Sequence, residues 1–280
     1  MYFIMKLLDK LTENILAHDK QATWCNTGVI STDTGNYLID TGMFPVVAKQ
    51  LYDEIKIIKS GNFEGTFTTH YHLDHIGGNQ AFTSKPIYAH KLCSVNFGTY
   101  KEEELVKGFA ERENKDLFEG FKLSAASNIY DSDTFSPPEN SDITCYLTGG
   151  HTSGSVIVHY KPENIVFAGD NLFAKTFPWG GDKTADPYKM VSAADKILSF
   201  NPQIVIPGHG SVQHSLGDVV YFKDYMTKII DSVEQLLKEN REEEVILNEL
   251  MNIPFHEPRN EQMKSMSIKH WIDVIKTKNQ

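Results

Sequence analysis

Four short β-rich runs in this chain each lead into a side chain able to ligate a metal. Thr66-Phe67-Thr68-Thr69 runs into His70, and Thr144-Cys145-Tyr146-Leu147 into Gly149-Gly150-His151. Ile165-Val166-Phe167-Ala168 runs into Gly169-Asp170, and Ile204-Val205-Ile206 into Pro207-Gly208-His209. Four such ends meet only if the strands lie with like edges together, and the carboxyl edge of a layered α/β sheet is where sites are built. An α/β fold with one polar, site-bearing edge is therefore expected.

The segments between these runs supply the other layers. Residues 24–41 alternate apolar and polar positions around Asp33-Thr34-Gly35, which predicts a β-hairpin. Val46, Val47, Leu51, Ile55 and Ile58 recur at helical spacing over 45–60, and Gly61 to Gly65 then breaks the pattern ahead of the Thr66 strand. From Leu216 the texture becomes helical: Val219, Phe222, Met226, Ile229, Ile230, Val233, Leu236 and Leu237 predict a long amphipathic helix to about Asn240. Helical patterns at 242–252 and 261–276 follow, separated by Pro254 and Pro258. Residues 1–215 are expected to form the α/β core domain and 216–280 a helical C-terminal extension. Residues 91–140, with a helix at Lys101 to Glu113 and a stop at Pro137-Pro138, read as an insertion that shapes a pocket.

Composition narrows the function. Of 280 residues 40% are hydrophobic, enough for one large core or two unequal ones, and no apolar run is long enough to cross a bilayer. Met1 to Lys6, Leu7 and Leu8 form no signal-peptide stretch before Asp9 and Glu13, so a cytoplasmic location is expected. Cys25, Cys93 and Cys145 are widely spaced and odd in number, which predicts buried free thiols. A net charge of -10 repels phosphate backbones, so the expected partner is a small-molecule substrate, not nucleic acid or a membrane; a homodimer is compatible with this reading.

The chemistry concentrates in Thr69-His70-Tyr71-His72-Leu73-Asp74-His75, where three imidazoles and a carboxylate stand close together. These donors suit zinc, iron, manganese or cobalt. On an extended segment His70 and His72 point the same way and can share one metal, while the tightening chain toward Gly77-Gly78 aims Asp74 and His75 at a second position. His18, His90, His159, His214, His256 and His270 read as structural or surface residues.

The run His70, His72, Asp74, His75, followed by Gly150-His151-Thr152 with Gly154, Gly169-Asp170 and Gly208-His209, resembles the metallo-β-lactamase-fold hydrolases over residues 29–210. The resemblance implies a four-layer αββα sandwich of two mixed β-sheets flanked by helices. It implies that His70, His72 and His151 bind a first divalent metal, that Asp74, His75 and His209 bind a second, and that Asp170 bridges them. Zinc is the expected metal, with iron or manganese as alternatives. Asp40, in Leu38-Ile39-Asp40-Thr41-Gly42, matches a position that supports the His run from behind.

A hydroxide bridging two divalent ions is available near neutral pH and attacks an electrophilic centre, with Asp74 as the catalytic proton shuttle in the resembling family. Residues Thr69 to Asn79 look most like glyoxalase II, with lactonases and small ribonucleases close behind; the basic residues that glyoxalase II carries near its C-terminus are represented here by Arg259, Lys264 and scattered lysines. The expected reaction is cleavage of an ester, thioester or lactone-type substrate. A mononuclear iron persulfide dioxygenase and a metal-dependent phosphodiesterase or ribonuclease are the alternatives. A degenerate binding protein is disfavoured, because a complete buried ligand set is costly without metal. Pocket walls are expected from Phe173, Phe177 and Trp179 after Asp170, and from Phe97, Tyr100, Phe109, Phe118 and Phe121 in the insertion. The insertion and the C-terminal segment are expected to supply no metal ligand.

Overall fold

The computed structural model describes residues 6–19, 22–58 and 62–279. The readings made on Met1 to Met5 and on Gly61 lie outside them. Among the described residues, the first sheet holds β1 (Asp9–Lys10), β2 (Ile15–His18), β3 (Thr27–Ser31), β4 (Asn36–Ile39), β5 (Phe63–Phe67), β6 (Ile87–His90) and β7 (Asn128–Tyr130), in that spatial order. The second holds β8 (Thr134–Phe135), β9 (Ile143–Leu147), β10 (Val156–Tyr160), β11 (Ile165–Phe173) and β12 (Ile204–His209), ordered β12-β11-β10-β9-β8. Both sheets are mixed: β4 to β7 pair in parallel in one, and β11 with β12 in the other. The parallel pairing of β11 with β12 puts their carboxyl ends at one edge of the second sheet.

Period-two alternation sorts the side chains into layers. Ile30, Tyr37, Ile39, Phe67, Val158, Ile165, Phe167, Ile204 and Ile206 point inward and fill the space between the sheets. Their neighbours Val29 and Leu38 point outward, onto Val47, Leu51 and Ile55 of α1 (Pro45–Ile57). Among the helices, α2 (Leu73–Ile76) carries Asp74 and His75, and α3 (Lys91–Phe97) and α4 (Glu102–Ala110) lie in the insertion. On the far face Ile157, Val166, Ala168 and Val205 pack under α5 (Pro187–Phe200), α6 (Gly217–Lys238), α7 (Glu243–Met251) and α8 (Glu261–Lys278). Helix, sheet, sheet, helix is the expected αββα sandwich. The C-terminal helices share one apolar cluster with β11 and α5, and Trp271 of α8 is fully buried there.

Three expectations are corrected. The strand leading to His70 begins at Phe63 and ends at Phe67, so Gly65 lies inside it and Thr68-Thr69 follow it. The strands β11 and β12 run further than expected, so that Asp170 lies inside β11, in the gap of the register between Gly169 and Phe173, and His209 is the last residue of β12. The register of β11 on β12 shifts on either side of Gly169, which takes a φ of +51°, and this irregularity re-aims the chain at Asp170. Phe109, Phe118 and Phe121 pack in the apolar cluster with α1 and line a separate open cavity, not the one beside Asp74 and His209, with Phe109 and Phe118 stacked at 3.9 Å. All three cysteines are buried free thiols. Burial pushes Cys25 and Cys145 up to about 12. No helix among the described residues is long and apolar enough to cross a membrane.

Candidate metal centre

The end of β5, the short α2, the loop after β9, and strands β11 and β12 converge on one point. There, ligand atoms of His70, His72, His151 and Asp170 lie within 4.8 Å of one another, and those of Asp74, His75 and His209 do likewise. The carboxylate of Asp170 stands between the two groups. Its Oδ2 is 3.2 Å from His151 Nε2, 3.8 Å from His70 Nε2 and 3.4 Å from His209 Nε2, while Oδ1 is 3.1 Å from His75 Nε2. Asp74 Oδ2 lies 3.2 Å from His209 Nε2. Backbone packing demands Gly208 here: a Cβ on it would stand 1.9 Å from Asp170 Oδ1.

The cluster passes a test of fit for metal ions. His70 Nε2, His75 Nε2 and Asp170 Oδ1 are buried and make no hydrogen bond, an arrangement that costs free energy unless a further group binds there. Nδ1 of His72 and Nε2 of His151 face each other at 2.9 Å, and a cation satisfies both lone pairs at once. Burial lowers His70, and lowers His151 to about 4, so both imidazoles are neutral and ligand-competent near pH 7. Burial likewise disfavours charge on His209, yet the Asp170 and Asp74 carboxylates overcome it and push the ring up to about 9. Against the same cost of burial, His209, His75 and His151 hold the Asp170 carboxyl well below the usual carboxylate range.

Around the cluster, neighbouring groups fix ring orientation through the nitrogen that does not face the centre. Asp40, buried and in the left-handed region at φ +54°, accepts from His75 Nδ1 at 2.7 Å and from the Thr69 backbone N–H and hydroxyl at 2.8 and 2.7 Å. The sequence reading missed three other supports. Asp182 Oδ2 accepts from His72 Nε2 at 2.9 Å and from the Tyr71 hydroxyl, while its Oδ1 accepts from Thr184. The Trp179 carbonyl accepts from His151 Nδ1 at 2.9 Å. The Asn26 side chain donates to Pro207 and Gly210 carbonyls at 2.8 and 2.6 Å, bracketing His209. An acid just past Trp179-Gly180-Gly181 was the one local signal available for Asp182.

A cavity of about 280 Å³ opens over Asp74, Asp170 and His209. Trp179, Phe177 and Tyr100 line it, together with Phe173 and Met263. Phe97 does not reach it. That ring turns instead to a small separate cavity beside Thr68 and Cys93, and touches the main site only through Tyr100, 6.3 Å away.

The model of the metallo-beta-lactamase superfamily matches residues 24–209. A beta-lactamase-like protein 2 homolog of Drosophila melanogaster is 24% identical over 239 residues, covering 83% of this chain and 74% of that protein. The Bacillus subtilis protein YybB, named as a metallo-hydrolase, is 24% identical over 201 residues, covering 70% and 84%. The crystal structure of the DIM-1 metallo-beta-lactamase superposes with a TM-score of 0.60 at 20% identity, covering 79% of this chain and 96% of that one. The sec-alkyl sulfatase PisA1 reaches a TM-score of 0.75 at 11% identity, over 97% of this chain and 50% of that one. Because the superfamily match runs from Trp24 to His209 and so spans β3 to β12 and every residue of the cluster, the chain belongs to the metallo-β-lactamase superfamily of metal-dependent hydrolases.

Proposed function

We propose that this chain cleaves an ester, thioester or lactone-type small molecule using two divalent metal ions held in the cluster. The observation that carries the reading is Asp170, whose two carboxylate oxygens face imidazoles of both ligand groups within 3.1–3.4 Å. His70, His72 and His151 would hold one ion, Asp74, His75 and His209 the other, with Asp170 shared between them. When bound, such a pair lowers the pKa of a shared water so that hydroxide is available near neutral pH, and polarises the scissile carbonyl. Zinc fits this imidazole and carboxylate set, as do iron and manganese.

The remaining steps belong to the protein. Asp74 is the more exposed of the two cluster carboxylates, 27% against 4% for Asp170, and it faces the cavity, so it passes the proton to the leaving group. Phe173, Phe177 and Trp179 exclude bulk water from the reacting face and strengthen the electrostatics there. A mononuclear centre leaves Asp74 and His209 without a task, yet they lie 3.2 Å apart beside Asp170, which favours the dinuclear reading. The hydrolase name of the Bacillus relative supports hydrolysis.

The test is turnover by metal-loaded protein on matched aryl ester, thioester, lactone, phosphodiester and persulfide substrates. Hydrolysis confined to the carbonyl substrates and abolished by a chelator is expected. Oxygen consumption with the persulfide, without carbonyl hydrolysis, contradicts the reading.

A further inference from the structure

The cavity over the cluster has two kinds of wall. His72, Asp74, Asp170 and His209 belong to the ligand groups, whereas Phe177, Pro178, Pro258 and Met263 offer it apolar side chains. Two further side chains on this second wall have their polar atoms engaged. Ser267 Oγ accepts from the Gly180 N–H and donates to the Met263 carbonyl, each at 2.9 Å, and the Thr176 hydroxyl points to the Glu257 carbonyl at 3.5 Å. The Arg259 guanidinium lies over Trp24, on a ring it shares with Arg112. A substrate group laid along this wall is therefore met mostly by carbon, and burial of carbon is what binds it there.

Met263, in the first turn of α8, is the adjustable member of this wall. It is half-buried yet joins none of the apolar clusters formed by the described residues, so its thioether chain lies against the cavity and not in the core. Its backbone is held from both sides. The N–H donates to Asn260 Oδ1 at 2.8 Å, and the carbonyl is tied through Ser267 to Gly180. Gly180 stands between the Trp179 carbonyl that orients His151 and the Asp182 carboxylate that orients His72, so Met263 keeps a set distance from the cluster. Phe177 is equally fixed, with the rings of Trp271 and Tyr225 each 5.9 Å away and its N–H on the Glu257 carbonyl at 3.2 Å. The enclosed space is small: about 280 Å³. At about 30 Å³ for a water-sized group, that is room for roughly nine non-hydrogen atoms, the reacting group included.

We propose that Met263 determines specificity by limiting acyl length: the molecule cleaved at the metals carries a short apolar acyl chain that runs along Phe177 and Pro178 and ends against the Met263 side chain. The inference rests on the hydrolase reading above for its reaction and narrows the substrate to a short-chain acyl ester or thioester. A longer chain has to displace Met263 or leave its end in water, and a shorter one leaves part of the wall uncovered.

The experiment runs a series of straight-chain acyl thioesters, acetyl to dodecanoyl on one thiol, through metal-loaded wild type, Met263→Ala and Met263→Phe. In wild type kcat/KM is expected to rise about fourfold per added methylene while the chain is being buried, and to fall beyond roughly six carbons, where the space is full. Met263→Ala moves the maximum about two to three carbons toward longer chains, the length of side chain removed, and Met263→Phe moves it toward shorter ones. Opposite shifts from one position do not arise from lost folding, and the metal content of each variant is measured alongside. Met266→Ala, at a 48% exposed residue of the same helix, leaves the maximum in place. A second readout avoids turnover: calorimetric binding of straight-chain alkyl hydroxamates, whose head group ligates the metal, passes through the same optimum in Kd and shifts with the same variants. An optimum that stays put in both Met263 variants overturns the proposal, as does a length dependence with no break. A preference for chains ending in carboxylate over methyl-ended chains of equal length also overturns it. Failure to hydrolyse any carbonyl substrate, with a hydroxamate optimum that still moves with Met263, overturns the hydrolase reading and leaves the length limit standing.

Discussion

Asp170→Ala is expected to reduce turnover by more than about 1000-fold and to lower bound metal, while the cooperative fold survives. The carboxylate is buried among four imidazoles, from 3.1 Å at His75 to 3.8 Å at His70. Two dications placed in that space would repel each other, and among the described residues of the cluster Asp170 is the group whose two oxygens face both sets of side chains. Removing one partner of a buried charge pair costs about 3–5 kcal/mol, which is about two to three and a half powers of ten in metal affinity for the site as a whole. The fold is held elsewhere, by the apolar layers on either side of each sheet, so far-ultraviolet circular dichroism should match wild type. Asp170→Asn keeps the shape without the charge, and elemental analysis of both variants separates the two effects. Near-normal turnover in either variant removes Asp170 from the centre of the account.

The second large effect is expected at a residue that is not itself among the cluster's ligands. Gly180 packs against Trp271 of α8 so closely that an added Cβ would stand 2.2 Å from the indole Nε1 and 2.3 Å from Cε2. Trp271 is fully buried and cannot retreat. Gly180 also donates its backbone N–H to Ser267 Oγ at 2.9 Å, and Ser267 in turn bonds the Met263 carbonyl. On either side of this contact the loop carries the Trp179 carbonyl that orients His151 and the Asp182 carboxylate that orients His72. Gly180→Ala must therefore displace both supports. Overpacking costs about 1–3 kcal/mol, equivalent to roughly 5- to 150-fold in affinity for a metal ion proposed to bind at His70, His72 and His151. Adding Trp271→Phe in the same chain makes room and is expected to recover part of the loss, which a double-mutant cycle reads directly. Metal affinity in Gly180→Ala equal to wild type shows that α8 does not brace the site.

The contrast between what the chain disclosed and what it concealed follows sequence separation. His70, His72, Asp74 and His75 stand in one short run, and His151, Asp170 and His209 each stand at or near the end of a β-rich run beside glycine, so local pattern was enough to find them. Asp182 acts on His72 across 110 residues and Asn26 on Pro207 across 181, and no local pattern encodes such pairs. The Trp179 contribution is a backbone carbonyl, which any residue supplies. Gly65 was read as part of a break ahead of the strand, yet it lies inside β5, as Gly169 and Gly208 lie inside β11 and β12, where close approach of other groups requires the missing side chain. Aromatic spacing in the insertion identified apolar faces but not what they pack on. Tyr100 faces the cavity, whereas Phe109, Phe118 and Phe121 seal the outer face of the first sheet.

The central claim is that one chain holds two metal ions through one shared carboxylate. Elemental analysis of protein loaded to saturation and freed of loosely bound metal, paired with calorimetric titration of the apo protein with zinc, measures it directly. The account predicts two ions per chain in wild type, with His209→Ala and Asp74→Ala each retaining one. Saturation of wild type at a single ion per chain, unchanged by His209→Ala, contradicts it.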